Sequence, residues 1–418
     1  LADGQNVFFG DITNSGQMRV GNNTDAGMFG TITNTGQITL DSVNAQSDFE
    51  LGSDVLLTGG GTLTLTGVDA NVNSVGAFTL TNVNNTIQGN GDLGANAARI
   101  TNRGSIVSSQ PGGVLRIDPR NDGFGVATFV NELGGEVRAE GTGTVVFTGS
   151  GGGEHLNHNG GRFVINSTAQ LVTSATLRNE AGGRIEGDGT IEVLSGTFVN
   201  TGVVAPGQSV GTLTVDGTYN QGAGGSLEIE IDAGGNDLLV ATTANLDGTL
   251  DVLSSVNDPS SRGDVSESVV IEADAVNGTF AGSSYNGNAL MPLDGTSPFI
   301  AYDGLSDGGL DGMFRGIEYA DNQVSFFNYL ALAGDANGDR IVDGQDFLIW
   351  NQNKFTSGND WSTGDFNGDG ITDGGDFLVW NSNKFTSAAI TAVPEPRGLS
   401  LAAVALLLLR QRRRKSRL

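Results

Sequence analysis

The chain has 418 residues, among them 66 glycines and no cysteine, and its formal net charge at pH 7 is -26. The absence of cysteine excludes a disulfide framework and a thiol nucleophile. No lysine occurs before Lys354, and so acidic a body repels nucleic acid, which excludes DNA and RNA as partners.

Residues 1–250 are rich in Gly, Asn and Thr, and they contain short runs in which apolar and polar residues alternate, such as 62–66 and 144–148. Alternation over four or five residues predicts short strands, and the Gly and Asn residues between the runs predict turns. Helical spacing is nearly absent from this part of the chain. The sequence therefore predicts a mainly β fold.

One phrase recurs through these strands: an apolar residue, any residue, and then Asn. Its copies end at Asn14, Asn34, Asn82, Asn102, Asn131, Asn179 and Asn200. Most intervals fit one or two units of roughly 20–24 residues, a period typical of solenoid coils. We expect the Asn side chains to lie at the same corner of successive coils and to bond along the axis, in about eleven coils that form a rod of roughly 50 Å. The alternative is a β-sandwich with Greek-key connections.

The stretches 203–221 and 224–232 combine Gly-rich turns with alternating strands. They resemble the closing coils of autotransporter-like passenger domains and of surface proteins with the same body. The resemblance implies a right-handed parallel β-helix over residues 1–250 and no particular activity. Residues 251–330 remain rich in strand patterns without the period. We interpret them as a capping region, because an open solenoid end exposes unpaired strand edges.

The strongest chemical signal is a twelve-residue loop that occurs twice, at 335–346 and 365–376. Oxygen-bearing side chains at loop positions 1, 3, 5, 9 and 12, together with the backbone carbonyl at position 7, suit a hard cation such as Ca²⁺. The sequence therefore predicts two calcium ions in a module at 331–388. The predicted ligands are Asp335, Asn337, Asp339, Ile341 (carbonyl), Asp343 and Asp346 in the first loop, and Asp365, Asn367, Asp369, Ile371 (carbonyl), Asp373 and Asp376 in the second.

Each loop runs into a near-identical segment, 347–355 or 377–385, that predicts one short helix. Position 6 is Gly370 in the second loop but Arg340 in the first, which predicts strain at Arg340. The pattern resembles a type I dockerin, an EF-hand-like module of two loops and paired helices. The resemblance implies two calcium ions and docking onto a cohesin-like protein, although Gly residues replace the usual Ser-Thr type pair at positions 10 and 11. The alternative is an acidic surface loop that binds nothing.

The C-terminal segment 389–418 contains Pro394, Glu395 and Pro396, then an apolar run at 399–409 and a basic end. This order resembles the PEP-CTERM sorting signal, which implies export, processing by an exosortase-type enzyme, and a place at the cell envelope or in an extracellular matrix. Eleven helical residues span about 16 Å, against a hydrocarbon core of roughly 30 Å, so we expect only transient membrane contact. The alternative is a short C-terminal anchor. We expect the secretion signal to be missing from this sequence or already removed.

Catalytic residues are unknown from the sequence. His155 and His158, with Glu154, have a spacing that suits zinc, but we interpret them as exposed loop histidines. The basic and acidic residues of 116–122 form the dense charged cluster that a polysaccharide lyase or hydrolase would need, and a turn with ion pairs explains them as well. We therefore expect an exported, non-enzymatic structural or binding protein of the cell surface, with extracellular polysaccharide as a possible ligand. The alternative is a carbohydrate-active enzyme, a polysaccharide lyase or glycoside hydrolase on a β-helix scaffold, that bears a dockerin.

Overall fold

The computed structural model describes residues 4–7, 10–123, 126–148, 154–293, 299–305 and 311–388. The predicted sorting segment, including Pro394, Glu395 and Pro396, lies outside these residues. The chain divides into two compact units. The first contains Leu1–Val256, Val269–Met291 and Glu318–Ser325, and the second contains Asn257–Ser268, Pro292–Ile317 and Phe326–Leu418.

The fold is mainly β, and its body is a β-solenoid of about 10 turns. The strands up to the middle of the solenoid are β1 Gly4–Val7, β2 Ile12–Asn14, β3 Gln17–Val20, β4 Thr24–Asn34, β5 Gln37–Asp41, β6 Ser47–Thr58, β7 Thr62–Ser74, β8 Thr79–Asn82, β9 Thr86–Leu93, β10 Arg99–Asn102, β11 Ser105–Ser108, β12 Val114–Ile117, β13 Ala127–Asn131, β14 Glu136–Ala139 and β15 Thr144–Phe147.

The following strands are β16 Glu154–Asn157, β17 Arg162–Ile165, β18 Gln170–Thr173, β19 Thr176–Asn179, β20 Arg184–Gly187, β21 Thr190–Val193, β22 Phe198–Asn200, β23 Val203–Pro206, β24 Thr212–Gln221, β25 Ser226–Asp232, β26 Gly235–Asn236, β27 Leu238–Leu246, β28 Thr249–Ser254, β29 Val265–Gly278, β30 Gly282–Tyr285, β31 Asn288–Leu290, β32 Phe299–Leu305, β33 Gly312–Ala320 and β34 Gln323–Leu330. The C-terminal elements are the helices α1 Gly344–Asn353 and α2 Gly374–Asn383, a 3-10 turn at Trp361–Thr363, and the short strands β35 Thr356–Ser357 and β36 Ile371–Thr372.

Each coil of the solenoid contributes a strand to three parallel sheets. Strands β13, β14 and β15 form one such coil, and each pairs in parallel with the equivalent strand of the next coil, β16, β17 and β18. Within a strand, buried and more exposed residues alternate, as in β14 and β15. This alternation buries one face of each sheet inside the coil. Parallel pairing between successive coils rules out the Greek-key sandwich, in which neighbouring strands run antiparallel.

The predicted asparagine ladder is confirmed. Asn102 Nδ2 donates to Asn131 Oδ1 at 2.7 Å, Asn131 Nδ2 donates to Asn157 Oδ1 at 2.8 Å, and Asn157 Nδ2 donates to Asn179 Oδ1 at 2.7 Å. These four side chains are fully buried. Because each buried amide has a partner in the next coil, the ladder satisfies groups that would otherwise be costly to bury.

Two coils lie in the long intervals of the sequence pattern. In one, β16 aligns His155 with Phe129 and Asn157 with Asn131, so the ladder continues through a copy of the phrase whose apolar residue is replaced by histidine. In the other, β6 has no asparagine at the corner, and Asn85 accepts from Asn34 Nδ2 at 3.0 Å instead. The long intervals therefore each correspond to two coils, although the intermediate coil does not contain the complete repeated phrase.

The interpretation of His155 as an exposed loop residue was wrong. His155 is fully buried in β16, against the rings of Phe129 and Phe147, because its inward strand position belongs to the solenoid core. Its Nε2 lies 3.1 Å from the carbonyl oxygen of Thr148, whereas Nδ1 has no hydrogen-bond partner among the described residues. Burial lowers the pKa of His155 from 6.5 to about 4.

This burial makes the stability of the solenoid pH-dependent. Between pH 6.5 and about 4 the unfolded chain binds a proton that folded His155 excludes, so stability falls as pH falls through that window, by on the order of 3 kcal/mol. We expect His155→Phe to remove this loss. Urea unfolding of both proteins at pH 7.5 and pH 4 measures it.

The buried carboxylate of Asp237 and the half-buried carboxylate of Asp92 change stability in the opposite direction, but their effects cancel when the two proteins are compared. Burial raises the pKa of Asp92 to about 6 and that of Asp237 to about 7 in both proteins. An equal drop in urea midpoint for the wild type and the variant would contradict the assignment of the pH effect to His155.

Residues 251–330 are rich in strands, as the sequence predicts. Some of these strands pair antiparallel, as β30 does with β31 in the first unit and β32 with β33 in the second. In the second unit the core combines strand residues Phe314, Phe327 and Tyr329 with Trp361 and Phe366 from the loop region. Strand residues that precede position 331 therefore pack in one core with the two loops. The aromatic side chains of the loop region need these strands to cover them.

Candidate metal centre

The two repeated loops lie in the second unit, and each ends in the first turn of a helix. Asp343 is the N-cap of α1, and its carboxylate accepts from the N–H of Gln345 at 2.7 Å. The carboxylate of Asp346 accepts in return from the N–H of Asp343 at 2.8 Å. Asp373 and Asp376 repeat this capping box on α2. The acidic residues at loop positions 9 and 12 therefore start both helices. Those at position 12 also accept from N–H groups of the loops.

The carboxylate at position 1 organises the first loop from within. Asp335 Oδ1 accepts from the N–H of Gly338 at 2.8 Å, and Oδ2 accepts from the N–H of Arg340 at 3.0 Å. Asp346 Oδ1 accepts from the N–H of Ala336 at 2.8 Å. Both carboxylates are fully buried, so positions 1 and 12 of the loop come together inside the second unit.

The second loop repeats this geometry. Asp365 accepts from the N–H groups of Gly368 at 2.8 Å and Gly370 at 2.7 Å. Asp376 Oδ1 accepts from the N–H of Phe366 at 2.8 Å. Asp365 and Asp376 are also buried. The same sequence pattern thus produces the same fold twice, which indicates that the loop residues themselves determine this local structure.

Residues at positions 3, 5 and 7 form the outer side of each loop. Asn337 Oδ1 accepts from the N–H of Asp339 at 3.0 Å, and Asp339 Oδ1 accepts from the N–H of Ile341 at 2.9 Å. In the second loop, Asn367, Asp369 and Ile371 make the same two bonds at 2.9 Å each. The side chains of Ile341 and Ile371 are each 45% exposed. Their predicted contribution is the main-chain carbonyl, which does not depend on side-chain burial.

The buried carboxylates carry an electrostatic cost. Burial, and then the nearby negative charge of Asp346, raise the pKa of Asp335 to about 7. Burial raises the pKa of Asp346 to about 6, and it also raises the pKa of Asp376. Carboxylates held together away from water repel one another and resist ionisation. A divalent cation beside them would offset this cost, and the oxygen donor set is the one that Ca²⁺ prefers.

The strain predicted for position 6 of the first loop is present in the backbone. Arg340 has φ +73°, and Gly370 at the equivalent position has φ +83°. A side chain in this left-handed conformation costs roughly 1–2 kcal/mol. The guanidinium carbon of Arg340 lies 4.2 Å from the ring centroid of Phe327, and a cation–π contact of this kind offsets part of the cost.

The residues thus fit calcium in type and position, but their side chains are engaged with backbone N–H groups. Within the described part of the chain, no three His, Cys, Asp or Glu side chains form a group that could hold a metal ion. The side-chain oxygens at positions 3, 5 and 9 accept from N–H groups two residues further along the chain, and a cation would have to bind to their remaining lone pairs. Positions 1 and 12 are already directed inward by their buried hydrogen bonds.

Two residues that support the first loop were not found from the sequence. The Tyr329 hydroxyl donates to Asp335 Oδ2 at 2.8 Å, and Trp361 Nε1 donates to the Asp335 carbonyl at 2.6 Å. Tyr329 belongs to β34, and Trp361 belongs to the segment between the two loops. Neither residue is part of the repeated loop pattern, and the second loop has no corresponding tyrosine before it in the sequence.

The structure does not bring together the residues of the zinc site that the sequence spacing suggested. His158 lies on the outer side, with Nε2 3.6 Å from a Glu132 carboxylate oxygen, while His155 points into the core, so the two do not converge on a zinc ion. In the 116–122 cluster, Asp122 accepts from Arg99 and Arg120 at 2.7 Å each. The predicted ion pairs are therefore present, but residues 118–122 form an irregular connection after β12 and not a turn.

The solenoid also carries a charged ladder that the sequence analysis missed. Arg162 contacts Glu136 and Glu186, and Arg184 contacts Glu186 and, at 2.6 Å, Glu228. These residues come from four different coils and share one outer face. Acidic and basic residues take different places in successive coils, so no repeated residue type marks this ladder in the sequence.

Among the described residues, no helix is long and apolar enough to cross a membrane. The chain matches no known protein-family model, and no curated protein is significantly similar to it.

Proposed function

We propose that the protein is an exported, non-enzymatic component of the cell surface or extracellular matrix, with a C-terminal module that binds two calcium ions. The duplicated loop with its buried carboxylates is the observation that carries this proposal. Asp335, Asp346, Asp365 and Asp376 are each at most 2% exposed. Two independent copies of the same costly arrangement are difficult to explain without a cation that both loops bind.

In this proposal the first loop holds one Ca²⁺ and the second loop the other. The ligands are the side chains at positions 1, 3, 5, 9 and 12 and the carbonyl at position 7: Asp335, Asn337, Asp339, Ile341, Asp343 and Asp346, and Asp365, Asn367, Asp369, Ile371, Asp373 and Asp376. Calcium, when bound, would supply the positive charge that offsets the buried carboxylates. The proposed module has a dockerin-like, EF-hand-like architecture.

The solenoid is proposed to be a right-handed β-helix that serves as a stiff spacer or as a binding surface for extracellular polysaccharide. The residues from 389 onward are proposed to act as a PEP-CTERM-type sorting signal, recognised at Pro394–Pro396 by an exosortase-type enzyme. Support comes from the order of motif, apolar run and basic end in the sequence. A cohesin-like protein is a further proposed partner of the calcium module.

Isothermal titration of the chelator-treated full chain with CaCl₂ tests the metal proposal. We expect two ions per chain for the wild type, one for Asp335→Ala, one for Asp365→Ala, and none for the double variant. Equilibrium dialysis that detects no bound calcium in the wild type at millimolar concentration would refute the proposal.

A further inference from the structure

The two halves of the loop region are bonded reciprocally. Trp350 of α1 donates from Nε1 to the carbonyl of Asp373, in the second loop, at 2.8 Å. Trp380 of α2 donates from Nε1 to the carbonyl of Asp343, in the first loop, also at 2.8 Å. Each helix therefore fixes the residue at position 9 of the loop that belongs to the other half.

The segments after the helices continue this exchange. After α2, the chain turns back to the first loop: Phe385 N–H donates to the Val342 carbonyl at 2.6 Å, and Ala388 N–H donates to the Arg340 carbonyl at 2.9 Å. After α1, the chain turns to the second loop: Phe355 N–H donates to the Thr372 carbonyl at 2.6 Å. The strands β35 and β36 extend the second contact by antiparallel pairing.

Both turns require an unusual backbone. Phe355 has φ +64° and Phe385 has φ +68°, values that a bulky residue rarely adopts. Their side chains are 77% and 82% exposed, so core packing does not explain the conformation. The backbone bonds to the opposite loop do explain it, because the left-handed turn directs each N–H toward the loop carbonyl.

We propose that each half closes the metal loop of the other half through these contacts. Trp350 is then the positioning residue of the second loop, and Trp380 is the positioning residue of the first. This inference rests on the proposed calcium function. Position 9 is both a proposed ligand and the helix N-cap, so fixing its peptide also fixes the direction from which its carboxylate reaches the loop centre.

Residues that orient metal ligands typically contribute about 10- to 100-fold in metal affinity. The indole N–H, rather than the ring, supplies the contact described here. Trp350→Phe and Trp380→Phe remove this donor and retain an aromatic side chain for the packing of α1 against α2, in which Phe347 and Phe377 also take part.

The test is calcium titration of the full chain in backgrounds that leave one loop functional. In the Asp335→Ala background only the second loop binds calcium. In that background we expect Trp350→Phe to weaken calcium binding about 10- to 100-fold and Trp380→Phe to change it much less. With Asp365→Ala the two tryptophans exchange roles. Leu348→Ala and Leu378→Ala, exposed positions on the same helices, serve as matched controls that leave both affinities unchanged.

Ala388→Pro provides a second variant, at a residue outside the two helices. It removes the N–H that binds the Arg340 carbonyl, and we expect it to weaken the first loop and to leave the second unchanged. Circular dichroism of each variant confirms that the helices are retained.

The outcomes separate the two proposals. A wild type that binds no calcium refutes both. The reciprocal assignment is overturned if the wild type binds two ions but each tryptophan variant weakens only the loop of its own half, or weakens both loops equally. The calcium function would stand in that case.

Discussion

Calcium is expected to raise the unfolding temperature of the second unit and to leave the solenoid transition unchanged. A ligand that binds only the folded state stabilises it by about 2.7 kcal/mol for each site when its free concentration is a hundred times the dissociation constant. All three tryptophans of the chain, Trp350, Trp361 and Trp380, belong to this unit. Tryptophan fluorescence during heating therefore reports this unit selectively, and a chelator should reverse the calcium effect.

The Asp346→Asn substitution is expected to remove much of this stabilisation. Asp346 is fully buried and accepts from Ala336 and Asp343 N–H groups, and an amide in its place provides one oxygen instead of two. Asp360→Asn is the matched control, because it removes the same charge from an exposed residue between the loops that is not a proposed ligand. If Asp360→Asn and Asp346→Asn reduced the calcium-induced shift in unfolding temperature equally, the loss of charge alone would explain the effect, and a specific role for Asp346 would be refuted.

The second large effect is expected in the asparagine ladder. Asn131→Ala removes the acceptor of Asn102 and the donor to Asn157 Oδ1, and it also leaves the carbonyls of Gly135 and Arg162 without this partner. An unsatisfied buried polar group costs about 1–3 kcal/mol, so we expect a loss of about 3–5 kcal/mol in the free energy of unfolding. Urea denaturation followed by far-ultraviolet circular dichroism measures it.

Val130→Ala is the control for the ladder, because Val130 lies on the same strand and points to the outer face. Its loss is expected to stay near 1 kcal/mol, as for a partly buried side chain. A ladder variant that is as stable as Val130→Ala would show that the amide bonds between coils contribute little, and that hydrophobic stacking alone holds the solenoid together.

The ladder also explains why glycine follows several of its asparagines. A Cβ at Gly161 would lie 2.6 Å from Asn157 Oδ1 and 2.3 Å from the carbonyl oxygen of Asn131, and Gly183 and Gly135 are in the same situation. The Gly-rich composition of residues 1–250 is therefore partly a packing requirement. At these corners the amide column and the backbone of the neighbouring coil occupy the space of a side chain.

The coil period could be read from the sequence because every coil of a parallel solenoid must place the same residue types in register. Ile100 aligns with Leu80 and Phe129, and Asn102 aligns with Asn82 and Asn131. The coil with His155 was missed because histidine is polar in isolation, yet a neutral imidazole can fill an aromatic position in the core. The acidic residues at the start of each helix were likewise readable, since they recur at the same spacing in both loops.

The solenoid period, the asparagine column and the positions of the loop carboxylates were readable from residue types alone, because each is a pattern of residue types that recurs at a regular interval. Three features became visible only in the folded chain: the burial of His155, the support of Asp335 by Tyr329 and Trp361, and the bonds from Trp350 and Trp380 to each other's loops. Those contacts join residues from different coils, from the two different repeats, or from a repeat and the segments outside it, and their partners are selected by the packing of whole elements. Local pattern specifies which groups need partners, whereas the fold determines which groups meet.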